Sequence, residues 1–244
     1  RVIMGNPPYS AGQGSANDNN ANIAYSNLDG RIEITYAKNS KATNKNSLYD
    51  SYIRAIRWAS DKIGDAGIVA YVSNAGWVDG NAMDGLRKCL VDEFSSLYLF
   101  HLRGNARTQG VQRQKEKDNV FGQGTRTPIV ISILVKNPNA PEHGKIHFHD
   151  IGDYLSQKEK LEIIAKFKSI DGISSKNAWQ NIIPDEFNDW LEQRDKSFDN
   201  HISLGDKKDK SSAVLFEVYS RGIETGRDVW SYNCSKAKLE KTYE

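Results

Sequence analysis

The stretch RVIMGNPPYSAGQG, residues 1–14, decides how the rest of the chain is read. Val2 to Met4 have the composition of a short buried strand, and Gly5, Pro7 and Pro8 stop it, because proline lacks the backbone donor that a ladder requires. An asparagine, two prolines and a tyrosine at the end of such a strand make a corner whose φ angles are largely fixed. A corner of this kind holds polar groups still.

That property suits one chemical problem, alkylation of an exocyclic amino group on a base. The nitrogen is a poor nucleophile because its lone pair is delocalised into the ring, so catalysis needs acceptors for its protons. The Asn6 side-chain carbonyl and the Pro7 backbone carbonyl are two such acceptors, held in place by Pro7 and Pro8 before a base arrives. Tyr9 adds an aromatic face for a base taken out of a duplex, where stacking contributes roughly 1–3 kcal/mol. The plainer alternative is an ordinary proline turn at a strand end.

Outward from this corner, residues 10–47 are rich in Asn, Ser, Gly and Lys and read as a long loop with a helical turn or two, placing Leu28, Ile32 and Tyr36 on one side. Leu48, Tyr52, Ile56, Ala59 and Ile63 recur at helical spacing, which predicts an amphipathic helix with Ser47 as its N-cap and Gly64 and Gly67 at its end. The near-continuous apolar run GIVAYVSNAGWV, residues 67–78, predicts a strand covered on both faces. A helix over residues 81–94 follows, with Met83, Leu86, Leu90 and Phe94 inward. Strands are expected over 96–104 and 127–137, and an edge strand within 145–154. A further helix over 156–170 is phased by Leu161, Ile164, Ala165 and Lys168.

This order of elements makes the fold class α/β, one half of a doubly wound sheet. We expect residues 1–150 to form this half and residues 151–244 to form a helical or mixed extension. The chain starts directly on a strand and stops without a breaker, which reads as a piece of a longer polypeptide.

Composition narrows the function classes. The 244 residues are 38% hydrophobic and 26% charged, with a formal net charge of +2 that makes no case for nucleic acid by itself. The longest apolar stretch, PIVISILV, is too short to span a bilayer, and no secretory signal is present, so a cytoplasmic protein without membrane partners is expected. Cys89 and Cys234 lie far apart and form no CxxC, so neither a disulfide framework nor a zinc knuckle is indicated.

Charge is unevenly spread. Between residues 103 and 127, the six bases Arg103, Arg107, Arg113, Lys115, Lys117 and Arg126 face only Glu116 and Asp118. Placed between two sheet strands at the motif-bearing edge, this segment suits contact with DNA phosphates, and Phe121 could supply a second stacking face or simply anchor the loop. Asn74, at the end of the 67–78 strand, sits where doubly wound folds contact ligands, and a structural turn explains it equally well. His147 and His149 would share a strand face, but no third ligand has metal-site spacing, so no metal is expected. Pro184-Asp185 reads as a helix start with an acidic cap rather than as part of a nuclease centre, since no Glu-x-Lys follows.

The GNPPY element, residues 5–9, resembles motif IV of the S-adenosylmethionine-dependent DNA amino-methyltransferases, in the tyrosine form of those that make N6-methyladenine. Further segments, LYLFHLRGNARTQG, FGQGTRTPIVISILVKN and GIETGRDVWSYN among them, resemble the methyltransferase region of type ISP-like restriction-modification enzymes. These carry nuclease, helicase-like ATPase, methylase and target-recognition domains on one polypeptide. The resemblance covers about two thirds of the chain.

It implies a Rossmann-like methyltransferase sheet, of which this chain would be the C-terminal half. It also implies S-adenosylmethionine as cofactor and DNA as partner, with Asn6, Pro7, Pro8 and Tyr9 as catalytic residues. Asn6 would also touch the cofactor, and Arg103, Arg107, Arg113, Lys115, Phe121 and Arg126 would contact DNA. The glycine-rich loop and the acidic residue that receive most of the cofactor would lie before Arg1; a permuted arrangement fails because no such loop follows later. Two alternatives remain at this point: a DNA-binding module that keeps the fold without chemistry, and a methyltransferase for RNA or a protein amide. Arg227, Asp228 and Trp230 receive no physical role.

Overall fold

In a computed structural model, residues 1–9, 25–191, 193, 197, 200–206, 209–220 and 235–240 are described. Arg1–Arg194 and Asp195–Glu244 form separate compact units. The first is built on one six-stranded sheet. Its strands are β1 (Val2–Gly5), β2 (Gly67–Asn74), β3 (Ser96–Arg103), β4 (Ile129–Lys136), β5 (Lys145–Asp150) and β6 (Gln180–Ile182). Their spatial order is β1-β2-β4-β3-β5-β6. β1 runs parallel to β2 and β3 parallel to β5, whereas β4 is antiparallel to both β2 and β3, and β6 is antiparallel to β5. The α/β reading therefore holds, with one reversed strand inserted at the centre. β5 lies inside the sheet rather than at its edge, because β6 pairs with its outer side through Ile146 and Ile182.

One face of the sheet is covered by α2 (Ser51–Ile63) and α4 (Asp84–Glu93). Tyr52, Ile56, Ala59 and Ile63 of the first, and Leu86 and Leu90 of the second, pack with Val69, Tyr71, Leu97, Leu99 and Leu134 of the strands. Met83 and Phe94 are buried at either end of α4, as helical spacing requires. Arg57, wholly buried on α2, ties the two helices together: its guanidinium donates to Glu93 Oε1 at 2.6 Å and to Asp61 Oδ1 at 2.7 Å. Ahead of α2, residues 26–37 form α1 (Ser26–Ile32) continued by a π-helical turn, Glu33–Ala37, more regular structure than the polar composition suggested. Gly85 is required where α4 meets this turn, since a Cβ there would stand 2.0 Å from the Tyr36 carbonyl oxygen.

The opposite face is only partly covered. Phe100, Ile129, Ile151 and Ile173 form a second cluster beneath α6 (Gln157–Phe167) and α7 (Ile170–Ser174), with Phe167 and Trp179 against it. Toward β1 this cover ends: Val2 and Met4 are 67% and 80% exposed, and Ile68, Ala70 and Val72 of β2 are half-buried. β1 and β2 are thus covered on one side and open on the other among the described residues, against the fully buried strands expected.

Three local assignments also change. Asp50, not Ser47, takes the N-cap position of α2, because residues 46–49 already coil as a 3-10 turn. α6 begins at a capping box in which Ser156 and Glu159 bond reciprocally, and this rotates the helix so that Leu161 is 48% exposed and Lys160 faces inward. The Pro184-Asp185 stretch is a turn without a helix: Asp185 Oδ1 accepts from Phe187 N and Asp189 N. Within the unit from Asp195 onward, Ser203 bridges Val214 and α8 (Lys236–Glu240) is a short helix. Arg227, Asp228 and Trp230 lie outside the described residues.

Candidate functional site

In a sheet of this kind ligand sites gather outside the carboxyl ends of the parallel strands. Here Asn6 follows β1, Asn74 ends β2 and Arg103 ends β3, while Pro128 precedes the reversed β4, so all four lie along one edge. The backbone joins this edge up: Ala75 N donates to the Pro128 carbonyl at 2.8 Å. Asn74 forms the structural turn of the two readings given it, its Oδ1 accepting from Gly76 N at 2.9 Å.

At the β1 corner Asn6 and Pro8 are exposed and Pro7 is buried, so the corner is anchored through its middle. Tyr9 is half-buried and packs edge-on against Tyr52, with ring centroids 6.0 Å apart and planes at 90°. Its hydroxyl donates to Asn6 Oδ1 at 3.5 Å. Burial raises the Tyr9 pKa above its ordinary value, so the phenol stays protonated and remains a donor. Asn6 therefore presents its acceptor beside a ring that is held on one side and accessible on another.

The basic segment is a folded structure. Arg103 ends β3 with φ at 56°, and Gly104 follows at 90°, a reversal that glycine makes without strain. Arg103 and Lys115 turn toward acidic side chains within the fold: Arg103 Nε donates to Asp150 Oδ1 at 2.7 Å and Nη1 to Asp153, and Lys115 Nζ lies 3.6 Å from Asp153 Oδ2. Arg107 and Arg126 are exposed, Arg113 is half-buried, and Phe121 is 46% exposed. α5 (Gly110–Glu116) carries Arg113, whose Nη1 donates to the Lys117 carbonyl.

Residues that sequence reasoning passed over hold this segment in shape. Buried Asn119 donates to the Gly104 and Thr127 carbonyls and accepts from Phe121 N. Buried Glu116 accepts from Asn105 N at 2.9 Å. Lys160, with no exposed surface, donates to the carbonyls of Glu116 at 3.1 Å and Asp118 at 2.7 Å, and Gln157 Nε2 donates to that of Val120. The available signal was the Ser156–Glu159 capping pair, which sets the phase of α6 and so turns Lys160 inward.

His147 and His149 are engaged within the fold, their Nδ1 atoms hydrogen-bonded to Asn181 Oδ1 at 2.9 Å and to the Ala178 carbonyl at 2.8 Å. No described helix is long and apolar enough to cross a membrane.

Fold and edge together define an α/β unit whose sheet edge carries an asparagine-proline corner and a basic loop. No family model matches the chain, and no curated protein does. Solved structures do. A nuclease-deletion mutant of the type ISP restriction-modification enzyme LlaGI, in complex with a DNA substrate mimic, is 46% identical over 99% of this chain with a TM-score of 0.87. The ATP-dependent type ISP restriction-modification enzyme LlaBIII, bound to DNA, is 44% identical over 98% with a TM-score of 0.88. The DrdV–DNA complex is 35% identical over 100% with a TM-score of 0.83. The chain spans 22%, 16% and 24% of those chains. It belongs to the type ISP restriction-modification enzymes, as a region of about a fifth of their length.

Proposed function

We propose that this region performs the methyl-transfer step of a restriction-modification enzyme, methylating the N6 amino group of adenine in DNA. The observation that carries the reading is the β1 corner, where exposed Asn6 stands beside half-buried Tyr9 at the carboxyl edge of the sheet. Supporting it, the related LlaGI and LlaBIII structures are complexes with a DNA substrate mimic and with DNA.

In this reading an extruded adenine lays its ring on Tyr9, and its amino group donates to Asn6 Oδ1 and to the Pro7 carbonyl. Drawing those protons toward fixed acceptors localises the lone pair on nitrogen and lets it pyramidalise. The Tyr9 hydroxyl contact to Asn6 is long enough to be exchanged for the amino donor at small cost. Asn6 is exposed and next to open β1, which suits contact with S-adenosylmethionine. When bound, that cofactor supplies an electrophilic methyl group. Exposed Arg107, Arg126 and Phe121, with half-buried Arg113, are the loop residues freest to meet DNA, and Arg103 and Lys115 would do so while also paired with Asp150 and Asp153.

The test is methyl incorporation into adenine of duplex DNA from radiolabelled S-adenosylmethionine, using the full enzyme. Asn6→Ala should lose at least about a hundredfold in rate, the scale of removing one preorganised polar group from a reacting centre. Undiminished incorporation in that variant refutes the role given to Asn6, and label in RNA or protein instead of DNA refutes the substrate.

A further inference from the structure

The loop between β3 and β4 lines a partly open cavity of about 440 Å³ whose wall includes Arg113, Lys117, Asn119, Gln123, Thr125 and Arg126. Three cationic side chains thus approach one space from separate parts of the loop: the last turn of α5, the residue after it, and the approach to β4. None of the three forms an ion pair among the described residues. The one acidic group on the wall, Asp118, accepts from Gln157 N through its carboxylate. The space is partly open, mixed in polarity and positively charged on balance.

The walls are set before any ligand arrives. Arg113 is steadied by its bond to the Lys117 carbonyl, Asn119 fastens both ends of the loop, and Lys160 and Gln157 of α6 hold the carbonyls of residues 116, 118 and 120 from beneath. Each of those bonds joins a side-chain N–H to a backbone carbonyl, so Asn119 and Gln157 are spent on the scaffold, and the charged donors left for a ligand are the other guanidinium N–H groups of Arg113, those of Arg126 and the Lys117 ammonium. Donors and positive charge in a fixed concave site select a tetrahedral oxyanion.

We propose that this cavity is a cradle for a single backbone phosphodiester of DNA, distinct from the β1 corner and serving to set the register of the duplex against it. The proposal rests on the reading of this region as DNA-acting. A phosphodiester carries one charge and two free oxygens, which Arg113, Lys117 and Arg126 can share while Gln123 and Thr125 add neutral polar contacts. Because contacts to phosphate position a protein without reading bases, the cradle would fix where the duplex lies and leave base selection elsewhere.

The experiment is a chemical double-mutant cycle with the full chain. Binding is measured by anisotropy to duplexes carrying one neutral methylphosphonate at each position in turn, for wild type, for the triple variant Arg113→Gln, Lys117→Gln, Arg126→Gln, and for the exposed-site control Lys38→Gln. One position should weaken wild type and control about tenfold and leave the triple variant unchanged. The triple variant's slope of log K against log salt should be shallower by about 1. Its thermal unfolding should stay close to that of wild type, since the substituted groups make no ion pair and only Arg113 gives up a hydrogen bond, the one to the Lys117 carbonyl.

If no position shows that pattern, the cradle is wrong even if methyl transfer proceeds. If the pattern is present in an enzyme that transfers no methyl, the cradle stands and the proposed activity falls. Displacement of DNA by inorganic phosphate at matched ionic strength, from wild type but not from the triple variant, assigns the cavity to a free phosphate and overturns the DNA assignment.

Discussion

Lys160→Met separates charge from packing at the base of the basic loop. Lys160 has no exposed surface and no ion-pair partner among the described residues, and its ammonium rests on two carbonyls, those of Glu116 and Asp118. Burial pulls its pKa down to about 8, more than nearby Glu116 and Asp118 restore. The folded state therefore binds the proton less tightly than the unfolded chain does. The cost of keeping this lysine charged is fully present below pH 8 and disappears as pH rises from there toward the unfolded value.

With about 1.4 kcal/mol per pKa unit, wild type should gain about 2 kcal/mol from this group between pH 7 and 9.5. Buried Cys89, its thiol pushed up to about 11, works in the opposite direction over the same window, because the unfolded thiol ionises first. The difference between wild type and Lys160→Met cancels that contribution. Urea unfolding at a series of pH values, read as midpoint at constant m, should give a rising difference curve of about 2 kcal/mol. A flat difference curve refutes the assignment of a buried, weakly solvated ammonium. At pH 7 the variant is relieved of the charge but strands two carbonyls at about 1–3 kcal/mol each, so its absolute stability is the less informative quantity.

Tyr9→Phe should retain most methyl transfer, since the hydroxyl only occupies Asn6 until a base arrives, whereas Tyr9→Ala should weaken binding of an extruded base by about 1–3 kcal/mol, read as the dissociation constant of a duplex with a mismatched target. Arg87→Ala should cost about 3–5 kcal/mol in urea unfolding, because wholly buried Arg87 donates to Asp189 Oδ1 at 2.6 Å and to the Gly80 and Asn188 carbonyls, and the variant leaves a buried carboxylate without its guanidinium. Gly85→Ala should lower the unfolding temperature by several degrees, since its Cβ would meet two backbone groups, the Tyr36 carbonyl oxygen at 2.0 Å and Ser40 N at 2.6 Å, that cannot step aside without separating α4 from the π turn.

How much of this was legible in sequence follows from how local each feature is. Helical spacing placed Met83, Leu86, Leu90 and Phe94 correctly because burial of one helix face is written in the helix itself. The same reasoning misphased α6, where apolar Leu161 looked inward and Lys160 was passed over. What decides the phase is a capping box at one end and two carbonyls contributed by a loop some forty residues earlier. The reversal of β4 was invisible for a related reason: period and composition mark a buried strand without giving its direction. For the basic segment, sequence counted charges correctly but could not tell outward Arg107 and Arg126 from Arg103, whose partners Asp150 and Asp153 come from beyond the next strand.

The reversed strand also puts the basic loop at the same edge of the sheet as the β1 corner. Had β4 followed β3 in parallel, the connection would have carried the chain across a face of the sheet to its opposite end. Because β4 is antiparallel to β3, the connection both leaves and re-enters at the edge that carries Asn6 and Asn74. Antiparallel neighbours can be joined by a two-residue hairpin, so the remaining length of residues 104–128 is not needed for connectivity. It is folded on itself by Asn119, fastened to β2 through Ala75 and Pro128, and floored by α6. Cutting residues 106–125 to a short turn, together with Lys160→Met because that lysine's two carbonyl partners go with the loop, should therefore leave the β2–β4–β3 ladder intact and abolish salt-dependent binding to DNA. Loss of the fold in such a deletion would mean that the loop holds the core together beyond the one side chain, Val120, that it puts into the second cluster, and that its charges are placed by packing rather than for a ligand.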